Sequence, residues 1–332
     1  MAKTSFKRLV DLKNNLSDKG FSEDSIDIIS ASWRESTIKQ YQYAWKLWSN
    51  WCISHSIDPI NSSVQDLLNF LSVQFKLVKS YSILNTYRSS FSSIHCNVDN
   101  VPVGQHRFFK GLANLKPSLP RYSVTWDVDK VFSFLESLWK LEDLSLKMLA
   151  CRTVVLVALI TAQRTQTIQF LDIFNVTQDS NGITFYLNKL TKTDKPGKFR
   201  SVFIPVFTDN EKLCVVKTLN MYISRTKSIR KSKQLFVSFR KPHKAVSSST
   251  LAKWMLIILE LSGIDCTIFR AHSFRAAASS KLHSKGFSVK ELVNCGLWKD
   301  GNTFKNIYLR NIKMNSDKKV SSARMTNLLL SK

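Results

Sequence analysis

The chain is short of acid. Against 49 Lys and Arg residues stand only 24 Asp and Glu, which leaves a formal net charge of +25. A surface with that surplus repels itself, so a polyanionic partner is expected, and phosphate neutralisation makes nucleic acid the leading one. The carboxylates that are present form none of the clusters a two-metal nuclease needs. Cysteine is scarce and dispersed: Cys52, Cys96, Cys151, Cys214, Cys266 and Cys295 include no CxxC pair and no Cys/His spacing suited to zinc. They read as reduced, buried thiols of an intracellular protein. Long hydrophobic runs are missing too. The longest, residues 153–161, lies between Arg152 and Arg164 and is too short for a bilayer, so a core helix is expected there. The first residues lack the apolar core of a signal peptide. With 332 residues, 44% of them hydrophobic, and no low-complexity tract, two globular domains are expected.

What is there is mostly helical pattern. Residues 1–30 predict one or two short helices. In residues 35–55, Ile38, Tyr41, Trp45, Trp48 and Trp51 recur at steps of three and four, an apolar stripe that core packing explains. Asp58-Pro59 ends that segment, and helices follow at 64–78 and after Ser80. Two prolines and a polar run make residues 116–127 the expected linker. Beyond it, 128–138 and 144–162 read as buried helices. Residues 183–206 change to two β-rich runs around a Gly/Pro-containing turn, a hairpin or two strands of a small sheet. Helical patterns return at 211–225 and 250–261. The expected fold class is mainly α with a small β-sheet. The expected domains are a helical one at 1–115, a linker at 116–127, an α+β one at 128–312, and a basic tail at 313–332.

Chemistry concentrates in residues 270–310, where His272 and Arg275 lie three apart and Trp298 precedes Tyr308. Cleaving a phosphodiester with a tyrosine calls for such a set. Two guanidiniums can grip the non-bridging oxygens bidentately, and Arg164, after the apolar run, joins Arg275 for comparison. An imidazole and an indole N–H add contacts to the same phosphate. A lysine beside other cations can protonate the leaving 5′ oxygen, and Lys192 stands in the expected β-rich segment. A tyrosine becomes a usable nucleophile only amid such positive charge. Each residue also has a plain structural reading. Arg164 could cap a helix C-terminus, His272 and Arg275 could share a helix face, and Trp298 and Tyr308 could be core aromatics. Lys189, Lys195 and Lys198 compete with Lys192, with Lys195 second. His243 and His283 read as surface or core histidines.

ALITAQRTQTIQFLDI resembles the first arginine box of the tyrosine recombinases, AHSFR their H-x-x-R box, and CGLWKDGNTFKNIYLR the closing segment in which His or Trp precedes the nucleophile. The resemblance spans residues 33–310, and its T-F-x-x-x-Y phrase is most similar to recombinases of eukaryotic mobile elements of the Crypton and DIRS type. It implies a two-domain DNA clamp, with a SAM-like core-binding domain and a catalytic domain of the DNA breaking-rejoining type. It implies catalytic roles for Arg164, Lys192, His272, Arg275, Trp298 and Tyr308. It implies double-stranded DNA as partner, a synaptic homotetramer (monomer or dimer when free), and no cofactor, metal or membrane. Nuclear location follows if the source is eukaryotic, and cytoplasmic location otherwise. The basic cluster at 225–233 fits either nuclear import or phosphate contacts, and the tail fits docking on a neighbouring protomer. A silent DNA-binding protein and a type IB topoisomerase are the rival readings. Two departures stand out. The family's small-Gly-hydrophobic lead-in to the first arginine is here Thr161-Ala162-Gln163, and Thr167 replaces the usual acid three places after it, which leaves Asp172 as a candidate substitute.

Overall fold

The computed structural model describes residues 8–77, 79–92, 102–117, 122–189, 191, 200–295 and 311–312. The chain divides into two compact units, residues 1–120 and 121–332.

The first unit is helical: α1 (Arg8–Asp18), α2 (Glu23–Ala31), α3 (Glu35–Ser54), α4 (Val64–Lys76), α5 (Tyr81–Ser92) and α6 (Pro102–Leu115). The α3 stripe faces inward as its spacing predicts. Trp45 and Trp48 are fully buried, whereas Ile38, Tyr41 and Trp51 are half-buried at its edges. The Trp48 ring meets Phe70 edge-on at 5.3 Å and stacks on Trp51 at 5.6 Å. Both buried indoles find acceptors, Trp45 at Asp11 Oδ2 (2.7 Å) and Trp48 at the Pro59 carbonyl (3.0 Å), as burying an indole N–H requires. The Pro59 bond joins the long helix to the turn that ends it. A capping box starts α4: Ser63 Oγ accepts from the Asp66 amide, and Asp66 Oδ2 accepts from the Ser63 amide.

The second unit contains β1 (Val124–Thr125), α7 (Val128–Ser137), α8 (Leu146–Thr161), α9 (Thr165–Gln169), β2 (Val176–Gln178), β3 (Gly182–Leu187), β4 (Arg200–Pro205), α10 (Val215–Thr226), α11 (Ser248–Leu261), α12 (Ser273–Ser284), α13 (Val289–Cys295) and β5 (Asn311–Ile312). The two β-rich runs are β3 and β4, antiparallel neighbours in a three-stranded sheet of order β2-β3-β4, with Thr177 opposite Thr184 and Thr184 opposite Phe203. Strand β2 is three residues long with one apolar side chain, so its pattern is too short to announce itself. Residues 124–125, inside the expected linker, instead form β1, which pairs in parallel with β5.

Helix α8 is the axis of this unit. Its sequence LKMLACRTVVLVALIT is apolar all round, so it belongs inside, and α9, α10, α11, α12 and β4 pack around it. The Arg152 guanidinium is buried with it and donates to the carbonyls of Leu135 and Lys212. No described helix is long and apolar enough to cross a membrane.

Candidate active site

Helix α8 ends at Ala162, a left-handed residue with φ 48° and ψ 28°. Non-glycine residues rarely adopt that conformation. The left-handed residue turns the chain sharply into the extended Gln163-Arg164 step, and Arg164 becomes the N-terminal flanking residue of α9. Gln163 is buried and its Nε2 donates to the Thr161 carbonyl at 3.3 Å. Ala162 is thus the C-terminal flanking residue of α8, and Arg164 lies two residues beyond it. The glycine of the family's lead-in corresponds to this left-handed position, so the departure noted in the sequence falls where glycine would be least strained.

His272 flanks the first turn of α12 and is exposed, with no capping bond from its side chain. Arg275 lies one turn further and is 4% exposed. The two residues between them are gripped from below. Trp126 Nε1 donates to Ser273 Oγ at 2.7 Å, and the Trp126 ring lies edge-on to Phe274 at 5.0 Å.

Arg164, His272 and Arg275 line one cavity of about 670 Å³. Arg164 is far from the other two in sequence, and the packing of α9, α8, α11 and α12 brings them together. Arg270, Gln163, Gln166, Ser248, Ser249 and Tyr122 share the lining, and no carboxylate occurs among its described residues. Sequence reasoning missed these six. Ser248 and Ser249 sit at the start of α11, where Ser247 caps the helix by accepting from the Thr250 amide. The cavity can hold an anion: its walls offer guanidiniums, an imidazole and hydroxyls, the donors that suit phosphate oxygens.

Other candidates lie elsewhere. Lys189 Nζ stands 5.5 Å from the Phe170 ring centroid and lines a separate cavity of about 400 Å³ with Asp172 and Lys233. Asp172 does not line the arginine cavity. Its Oδ1 accepts from the Phe174 amide at 2.8 Å, and it bridges to Gln234. His243 and His283 each engage a nearby carbonyl, of Ser238 and Phe287, and line neither cavity. In the 225–233 cluster, Arg225 donates to the Leu144 carbonyl and Arg230 to those of Gln234 and Leu235, so two of its cations are tied to the fold. Lys192, Lys195, Lys198, Trp298, Tyr308 and the tail lie outside the described residues. Among the described residues no three of His, Cys, Asp and Glu stand together as a metal site.

Residues 128–314 match the model of the phage integrase family. No curated protein matches the chain. Among solved structures the chain is similar to the XerH site-specific recombinase bound to palindromic difH substrate, with a TM-score of 0.61 and 15% identity over 99% of this chain and 91% of that one. It is also similar to the Tn1549 transposon integrase in complex with transposon right end DNA (TM-score 0.57, 12% identity, 98% of this chain and all of that one). A lambda integrase dimer bound to a COC′ core site gives a TM-score of 0.50 at 16% identity, over 94% of this chain and 78% of that one. At such identities the likeness is one of fold. The family match covers more than half of the sequence and contains all six residues singled out for catalysis. The chain belongs to the phage integrase family.

Proposed function

We propose that the protein is a site-specific DNA recombinase that cuts and rejoins duplex DNA through a 3′-phosphotyrosyl intermediate. The observation that carries this reading is the convergence of Arg164, His272 and Arg275 on one cavity without a carboxylate among its described residues. In the proposed reaction the two guanidiniums hold the non-bridging oxygens of the scissile phosphate, and His272 and Trp298 add donors to it. The Tyr308 phenolate attacks phosphorus, the bond to the 5′ oxygen breaks, and Lys192 gives that oxygen its proton. The 5′ hydroxyl of the exchanged strand then attacks the phosphotyrosine, Tyr308 leaves, and the proton returns. One phosphodiester is exchanged for another, so no nucleotide is consumed.

The partner under this reading is double-stranded DNA, with four copies of the protein in the synaptic assembly. The solved relatives described as bound to recombination substrate, transposon end and core site support that partner. The T-F-x-x-x-Y phrase supports a mobile-element role of the Crypton or DIRS type, and with it a nuclear site of action.

The test uses nicked suicide duplexes tiled across the DNA that flanks the reading frame in its source. A covalent protein–DNA adduct should form with one tile and vanish in Tyr308→Phe. An adduct that persists in that variant, or none with any tile, refutes the reading.

A further inference from the structure

We infer that residues 124–126 are a brace that positions the catalytic groups, an inference that rests on the recombinase reading. Val124 and Thr125 pair in parallel with Asn311 and Ile312. Strand β5 begins three residues after Tyr308, and β1 and β5 both pack on α12. A two-residue ladder is marginal by itself, so it depends on its packing against α12, and Thr125 within it is fully buried.

The next residue makes the second connection. Trp126 is almost fully buried, donates its indole N–H to Ser273 Oγ at 2.7 Å, and sets its ring edge-on to Phe274. Ser273 and Phe274 are the two residues between His272 and Arg275. Trp126 does not line the cavity that those two line. It touches no position a phosphate would take, and acts only through the backbone that carries the imidazole and the guanidinium. It is a positioning residue.

One stretch of three residues thus holds both the start of α12 and the strand that follows the nucleophile. The alternative tie between α7 and α12, the Lys281–Asp129 ion pair, has an exposed carboxylate and adds little. Positioning is where small displacements matter: a shift of about 1 Å in reacting groups can cost on the order of 100-fold in rate.

The test compares Ser273→Ala, which removes the acceptor, with Trp126→Phe, which keeps a ring against Phe274 and removes the donor. Each full-length variant is assayed with the nicked duplex that serves wild type. The rate of adduct formation at saturating DNA should fall by at least about 10-fold, with the dissociation constant for DNA within about twofold. The double variant should be no slower than the slower single one, because both remove the same bond. Leu219→Ala, in the core away from α12, serves as control: it should lower Tm and keep the rate. Hydrogen exchange gives a readout independent of activity. Either variant should speed exchange both at the start of α12 and at residues 311–312, while α10 stays as in wild type. Wild-type rates at saturating DNA, or faster exchange confined to α12, would overturn the brace. Wild type that forms no adduct while the exchange pattern appears would overturn the recombinase reading and leave the mechanical link standing.

Discussion

Replacing Arg152 with methionine tests what a buried cation does for this fold. The guanidinium has no exposed surface and donates to the Leu135 carbonyl, near the end of α7, and to the Lys212 carbonyl, in the turn before α10. Burial lowers its pKa from 12.5 to about 10, so it stays charged at neutral pH. At about 1.4 kcal/mol per unit, that depression corresponds to roughly 3 kcal/mol of lost hydration. Against it stand two charge-assisted hydrogen bonds, worth about 1.5–3 kcal/mol each. The balance favours the arginine by about 0–3 kcal/mol on those magnitudes. Methionine fills most of the volume and returns the hydration term, but both carbonyls lose a donor. The variant should therefore be less stable by about 1–2 kcal/mol, a fall in Tm of roughly 2–8 °C for a unit of this size. Alanine should lose about 2–5 kcal/mol, because it also leaves a cavity. Differential scanning calorimetry at pH 7 gives both values, with DNA binding as a check that the folded state is retained. A methionine variant that melts at or above wild type would refute the reasoning, since hydration would then outweigh the two bonds.

Arg164→Lys and Arg275→Lys should each slow single-turnover cleavage by about 100- to 1000-fold with much smaller effects on DNA affinity, because lysine cannot make the bidentate contact; equal losses in affinity and rate would remove them from the reacting phosphate. Gly182→Ala should destabilise by about 1–3 kcal/mol in urea unfolding, since an added Cβ would run into the Ile204 carbonyl and the Phe203 ring. Adding Phe203→Ala should leave most of that loss, because the closer obstacle is backbone. Burial pushes the Cys52 and Cys151 thiols up to about 12 from an ordinary 9.0. Their raised folded values mean that the stability they give is complete below pH 9 and is lost as pH rises toward 12. The fall in Tm between pH 9 and 11 should flatten in Cys52→Ala with Cys151→Ala, and an unchanged slope would exclude the thiols as its source.

The helices were legible because their apolar side chains repeat over three turns or more. The tryptophans of α3 and the unbroken apolar run of α8 announce burial directly. Short elements were not. Helix α9 has five residues, and β1 and β5 have two each. The pairing of Val124 with Asn311 is decided by tertiary packing that no local pattern records. The prolines mark 116–127 as a linker, and no local pattern marks Val124 and Trp126 inside it as part of the second unit's packing. For the candidate site, the arginine boxes carried Arg164, His272 and Arg275. What the boxes could not carry is environment. Arg275 is buried and His272 exposed although they lie three apart, because Arg275 lies within α12 and His272 flanks its start. Arg152 and Arg164 bracket the same apolar run and meet opposite fates, one as an internal tie and one on the cavity wall.

The corner before Arg164 makes chirality an experimental handle. At φ 48° an L-alanine holds its methyl against the following carbonyl, at roughly 1–2 kcal/mol. A D-alanine introduced by chemical ligation would place the same methyl without that conflict. Glycine would gain the same relief but lose about 0.4–1 kcal/mol through the freedom of its unfolded chain. The mirror-image residue should thus melt highest of the three, glycine should fall near wild type, and valine should melt lowest. Glycine's net gain over alanine is thus about 0–1.6 kcal/mol, so the turn that aims the first arginine holds its left-handed alanine at a small cost.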